Sequence, residues 1–241
     1  MRLLELFSGL GGWRYALGGR GAVAAAYDIS PAANATYALN HGDRPLDREI
    51  ARLKPAQLAA HGADTWALSP PCQPFCRMGQ HRDLEDRRCQ ALRNLMAILP
   101  ELAPSRLALE NVQGFLGSEA HALVRATLAR AGLHVLEYQL CPSTFGLPNL
   151  RPRVFLLASR APLRPRPAPA LAPLPVAAFL DAEEDPGLYL PPEVLARHYQ
   201  GLDLVRGASL RTACFIGGYG QRYVGSGSFL ETARGIRRFS P

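Results

Sequence analysis

The chain has 241 residues, 48% of them hydrophobic, and a formal net charge of +7. That length suits one sizeable globular domain with a small appendage, and no apolar run approaches the roughly 18 residues of a membrane span. The opening MRLLELFSGLGG lacks the long apolar region and small-residue cleavage site of a signal peptide, so a soluble, cytoplasmic protein with no membrane partner is expected.

The expected elements alternate in type. Arg2–Phe7 reads as a buried strand that ends in a glycine-rich turn, and Ala22–Asp28 as a second strand. Ser30 is placed to cap a helix whose first position is Pro31. Thr65–Pro70 and Arg106–Asn111 are two further short buried strands. Leu84–Leu99 and Glu119–Ala131 read as helices, and His134–Leu140 and Arg153–Ser159 as strands near a sheet edge. Strands alternating with helices imply an α/β fold with a doubly wound, mostly parallel sheet.

Composition changes after Ser159. The proline-rich stretch 161–175 cannot form a regular helix or central strand, because proline removes backbone donors. The expected organisation is a larger α/β domain over 1–160, a linker over 161–175, a small irregular region over 176–230 and a last segment over 231–241. Pro191–Val205 reads as one helix inside the small region.

The basic balance, with a pI near 9.5, favours a polyanionic partner such as nucleic acid. Charge alone does not decide this. Lys54 is the only lysine, and enrichment in Arg, Ala, Pro and Gly is also what GC-rich coding produces. The value of arginine here is its planar fork, which suits phosphate. The five cysteines, Cys72, Cys76, Cys89, Cys141 and Cys214, are odd in number and scattered, with no C-x-x-C. That pattern speaks against a disulfide framework and a metal site, and it weakens a redox pair. For Cys72, after Pro70-Pro71 at a strand end, it leaves a nucleophile or a buried structural thiol.

Three other motifs sit at strand ends. FSGLGG, Phe7–Gly12, lets a ligand approach the backbone at a helix start, and Asp28 ends the next strand about 20 residues on, where an acid can hold a ribose. The glycine spacing is not G-x-G-x-x-G, so an adenosine-bearing ligand without a pyrophosphate fits better than a nicotinamide. Glu110 ends an apolar strand and is either a capping acid or a general acid opposite the thiol. Arg151 and Arg153 lead into a strand where alternate residues share a face, so the two can point together or form a solvated edge pair.

The order FSGLGG, SPPCQ, LENV, NLRPR resembles the cytosine-5 methyltransferases. With DLEDRR, FGLPNLRPR and CFIGGYGQRYVGSGSFL, the chain is most similar to their Dnmt-two-type tRNA branch, which acts on tRNA-Asp at cytosine-38. The resemblance covers nearly the whole chain, and Ile216 stands where the branch carries threonine. It implies a Rossmann-like fold with a catalytic, cofactor-binding domain over 1–160, a small irregular target-recognition region over 176–230 and the start of a return to the first domain over 231–241, and S-adenosyl-L-methionine as cofactor, bound by Phe7, Gly9, Gly11, Gly12, Asp28, Ile29, Ile50, Ser69 and Pro70. It makes Cys72 the nucleophile at cytosine C6, with Glu110, Arg151 and Arg153 as its catalytic partners. It puts Gln73, Asn111, Cys214, Phe215 and Tyr219 against the substrate. Cys76, where relatives carry threonine, is expected to be a bystander.

The family's final motif is expected to be missing after GIRRFSP. The leading expectation is a monomeric tRNA methyltransferase. A DNA cytosine-5 methyltransferase is the alternative, and a non-catalytic tRNA-binding remnant the third. The short proline-rich region before Thr212 favours RNA shape over base-edge readout of DNA.

Overall fold

A computed structural model describes residues 1–73 and 83–240. The described chain packs as two units. Met1–Gln139 with Arg153–Pro165 forms the first, and Leu140–Pro152 with Arg166 onward forms the second.

The first unit is built on a six-stranded sheet of order β2-β1-β3-β4-β6-β5. Its strands are β1 (Arg2–Leu6), β2 (Ala22–Tyr27), β3 (Thr65–Leu68), β4 (Arg106–Val112), β5 (His134–Leu140) and β6 (Arg153–Ser159). β2, β1, β3 and β4 run parallel, and β6 is antiparallel to β4. β3 is buried at every position, which is why its sequence is a continuous apolar run rather than an alternation. The mostly parallel α/β sheet expected from sequence is therefore present.

Helices α1 (Gly12–Leu17), α2 (Pro31–His41), α3 (Pro55–Ala59), α4 (Gln90–Leu102) and α5 (Glu119–Arg130) accompany this sheet. Ser30 caps α2 by accepting the Ala33 amide at 3.3 Å, and Pro31 opens it. α4 differs from expectation at both ends. It starts at Gln90, because Asp86 captures the Arg88 amide at 2.8 Å and holds a separate short turn before it. It runs through Pro100 to Leu102, since a proline in the last turn removes one hydrogen bond and the helix still ends at Ala103 in the left-handed region. Leu92, Leu95, Met96, Ile98 and Leu99 of α4 are buried in the same core as Leu4, Leu6, Trp66, Leu68 and Leu109 of the sheet.

The second unit has its own small core of Leu190, Leu202, Phe229 and Ile236. Its sheet has the order β7-β8-β9, with β7 (Asp203–Val205), β8 (Ser228–Thr232) and β9 (Gly235–Arg237). The single helix expected over Pro191–Val205 is shorter. α6 spans Pro192–His198, and Asp203–Val205 instead pairs in parallel with Ser228–Leu230. Apolar spacing does not separate a helix from a short buried strand, and the pairing with β8 decides it.

Three further segments pack within the second unit. Leu140–Pro152 belongs to the second unit, where Leu150 N donates to Thr212 O at 2.8 Å and Thr212 Oγ1 donates to Pro148 O at 2.7 Å. Part of the proline-rich stretch lies against it, with Leu174 N donating to Gly146 O at 3.0 Å. Gly235–Arg237 completes the small sheet beside β8. No helix among the described residues is long and apolar enough to cross a membrane.

Candidate active site

The parallel register decides which residues meet. Leu6 lies opposite Leu68, and Leu68 opposite Leu109. The segments that leave the carboxyl ends of β1, β3 and β4 therefore emerge along one edge, where open α/β sheets bind ligands. Phe7–Gly12 follows β1 and Ser69–Cys72 follows β3, while Glu110–Val112 are the last three residues of β4 and extend past the end of β3.

The glycine loop is held in an unusual backbone. Phe7 has φ 57° and Gly11 φ 89°. A positive φ at a phenylalanine is uncommon and costs roughly 1–2 kcal/mol, so the surrounding structure must enforce it. A side chain at Gly11 would place its Cβ 2.1 Å from His41 Nε2, so only glycine lets the loop close on α2. Asp28 ties the loop down. Its Oδ2 accepts the Gly9 amide at 2.9 Å and its Oδ1 the Ser30 amide at 2.8 Å. A carboxylate has about four acceptor positions, so two remain for a ligand's hydroxyls. Ile29 follows with 62% of its surface exposed and offers a flat apolar face. This donor set fits an adenosine-bearing cofactor.

The thiol loop is fixed from two sides. Ser69 N donates to Leu6 O at 3.2 Å, and the Trp13 indole donates to Ser69 Oγ at 2.9 Å. Asn111, 1% exposed, donates its amide to Pro70 O at 3.4 Å and accepts the Val112 amide at 2.8 Å. Its side chain therefore shapes the loop before Cys72 and shows almost no surface to a substrate. Cys72 is a partly buried free thiol and Gln73 is exposed. Cys76 lies outside the described residues.

Glu110 and Arg153 are joined. Arg153 Nε donates to Glu110 Oε1 at 3.0 Å. The two expected arginines do not share a strand face, because β6 begins at Arg153 and leaves Arg151 outside it. Arg151 belongs to the second unit, where its Nη1 donates to Cys214 Sγ at 3.1 Å.

Other expected site residues are placed as follows. Ile50 is 4% exposed and sits in the main core, where its carbonyl accepts Asn94 Nδ2 at 3.0 Å. In the second unit Phe215 packs edge-on against Tyr219 at 4.9 Å. The Tyr219 hydroxyl donates to Ser228 O at 2.6 Å and accepts the Phe239 amide at 3.1 Å. Glu5 is not among the residues expected from sequence, although it sits beneath the glycine loop. The available signal is a lone acid inside the apolar strand RLLEL.

Residues 1–184 match the family model described as C-5 cytosine-specific DNA methylase. The tRNA (cytosine(38)-C(5))-methyltransferase of Schizosaccharomyces pombe is 34% identical, over 96% of this chain and 75% of that protein. The crystal structure of S. pombe Dnmt2 methyltransferase superposes with a TM-score of 0.88 at 31% identity, covering all of this chain and 84% of that one. The Entamoeba histolytica methyltransferase EhMeth shares the fold, with a TM-score of 0.93 at 24% identity, over all of this chain and 83% of that one. The chain belongs to the C-5 cytosine methyltransferase family. Within that family its similarity runs to the branch whose members are named tRNA cytosine-38 methyltransferases.

Proposed function

We propose that the chain transfers a methyl group from S-adenosyl-L-methionine to C5 of a cytosine in RNA, with cytosine-38 in the anticodon loop of tRNA-Asp as the target. The observation that carries this reading is the shared sheet edge, where the Cys72 loop, the Glu110–Arg153 pair and the Gly9–Asp28 loop converge in one unit.

Phe7, Gly9, Gly11, Gly12, Asp28, Ile29, Ile50, Ser69 and Pro70 would hold the cofactor, which supplies an electrophilic methyl group. Cytosine C5 is too weak a nucleophile to accept that group unaided. The Cys72 thiolate adds to C6, which gives C5 enamine character. Glu110 holds a proton at N3 and absorbs the charge that develops on the ring, and Arg153 fixes the Glu110 carboxylate. Arg151 would contact the substrate. Loss of the C5 proton then expels Cys72 and restores the ring. The base must leave its stack to reach the thiol, and a loop cytosine costs less to extrude than a paired one.

A DNA substrate is the second reading. The matched family model is described as a DNA methylase. A Dictyostelium discoideum DNA (cytosine-5)-methyltransferase is 33% identical over 66% of this chain and 44% of that protein. The test offers labelled S-adenosylmethionine with a tRNA-Asp transcript and, separately, a DNA duplex pool. Label in tRNA alone supports the proposal, and label in DNA alone overturns it in favour of the second reading. RNA binding without any label makes the chain a tRNA-binding remnant.

A further inference from the structure

The mechanism above uses no residue from the interior of β1, yet that strand carries a fully buried acid. Glu5 is 0% exposed, and both its oxygens are engaged. Oε1 accepts the Trp13 amide at 3.1 Å and the Arg14 amide at 3.3 Å, while Oε2 accepts the Tyr37 hydroxyl at 3.0 Å. Tyr37 is itself fully buried.

These bonds join three elements below the Phe7–Gly12 loop. The residue before α1 is Gly11, which has no side chain to cap the helix. The opening amides of α1 would otherwise be orphaned. Glu5 accepts two of them from the preceding strand. On the far side Tyr37 and His41 of α2 close against Gly11, where an added Cβ would meet Tyr37 Cε2 at 3.0 Å. Arg14 adds an outer tier, with its guanidinium 5.7 Å from the Tyr37 ring centroid and paired to Asp43. The loop is thus suspended between Asp28 above and Glu5 below.

We propose that Glu5 is a positioning residue for cofactor binding, setting the glycine loop by gathering the start of α1 and the Tyr37 hydroxyl onto one buried carboxyl group. This rests on the proposed use of S-adenosylmethionine at that loop. A buried acceptor withdrawn from such a cluster leaves its donors unsatisfied, so the cost appears where the donors sit. They sit under the cofactor loop.

The experiment titrates S-adenosylmethionine calorimetrically, and tRNA by filter binding, into wild type, Glu5→Leu, Glu5→Gln and Tyr37→Phe. Glu5→Leu is expected to weaken cofactor binding at least about tenfold, with tRNA affinity within about twofold of wild type. Glu5→Gln retains an oxygen for the two amides and is expected to restore cofactor affinity to within about threefold. Tyr37→Phe, which removes one of the three bonds and serves where Glu5→Leu fails to fold, is expected to weaken the cofactor about threefold. Unchanged cofactor affinity in folded Glu5→Leu or in Tyr37→Phe overturns the inference. So does an equal loss of cofactor and tRNA binding, which marks a purely structural role. Wild type that takes up no S-adenosylmethionine overturns the cofactor reading itself, and the inference with it.

Discussion

Arg153 Nε and Glu110 Oε1 stand 3.0 Å apart, with side chains only 16% and 25% exposed. The pair exists because β6 runs antiparallel to β4 and sets Arg153 opposite Val112, two residues from Glu110. A mostly shielded ion pair holds its geometry better than a solvated one. Glu110→Gln is expected to lower kcat by about 10²–10³ while changing the KM for RNA little, since the charge-absorbing role proposed for it is made in the transition state. Arg153→Ala is expected to lower kcat similarly, and Arg153→Lys to restore part of it. Steady-state kinetics on tRNA-Asp check this, and a rise in KM alone would count against the assignment.

Cys72→Ala is expected to abolish turnover and leave RNA binding intact, because it removes only the proposed nucleophile. Wild type incubated with RNA carrying 5-fluorocytosine and the cofactor should form a covalent product resistant to denaturing gels, which Cys72→Ala does not form. Cys76→Ala is expected to form it normally. An adduct that persists in Cys72→Ala but vanishes in Cys76→Ala would reverse the roles of the two thiols.

Gly11 and Gly12 should respond differently to alanine. At Gly11 the new methyl meets His41 and the backbone holds φ 89°, so Gly11→Ala is expected to cost about 2 kcal/mol and to weaken cofactor binding. At Gly12 nothing lies within 4 Å and φ is not positive, so Gly12→Ala is expected to leave stability nearly unchanged. Urea unfolding of the two variants gives the comparison, and equal losses would contradict it.

Burial pushes the Tyr37 phenol up to about 12, from an ordinary value of 10.0. A raised pKa favours the protonated form in the folded state. Its stabilising contribution is therefore fully present below pH 10 and is lost as pH rises towards 12. The two-unit difference corresponds to at most about 3 kcal/mol. Between pH 10 and 12, Tyr37→Phe is expected to lose less stability than wild type in urea unfolding. Parallel curves for the two proteins would refute the assignment.

The sequence by itself determined the α/β class and the strands that end in the site. Buried parallel strands such as TWAL read as short apolar runs, and the motifs at their ends carry uncommon residues in a fixed order. It also led to Ser30 and Pro31 at the start of α2, because capping is a local interaction. Pairing across the chain decided the rest. R-P-R reads as two alike arginines, yet one bonds Glu110 of the first unit and the other Cys214 of the second. Asp203–Val205 reads as the end of a helix until β8 supplies a partner. Glu5 reads as one acid in an apolar strand, and only the approach of α1 and α2 gives its carboxyl group three donors. Local chemistry is written residue by residue, whereas a hydrogen bond between residues tens of positions apart exists only after the sheet has set their register.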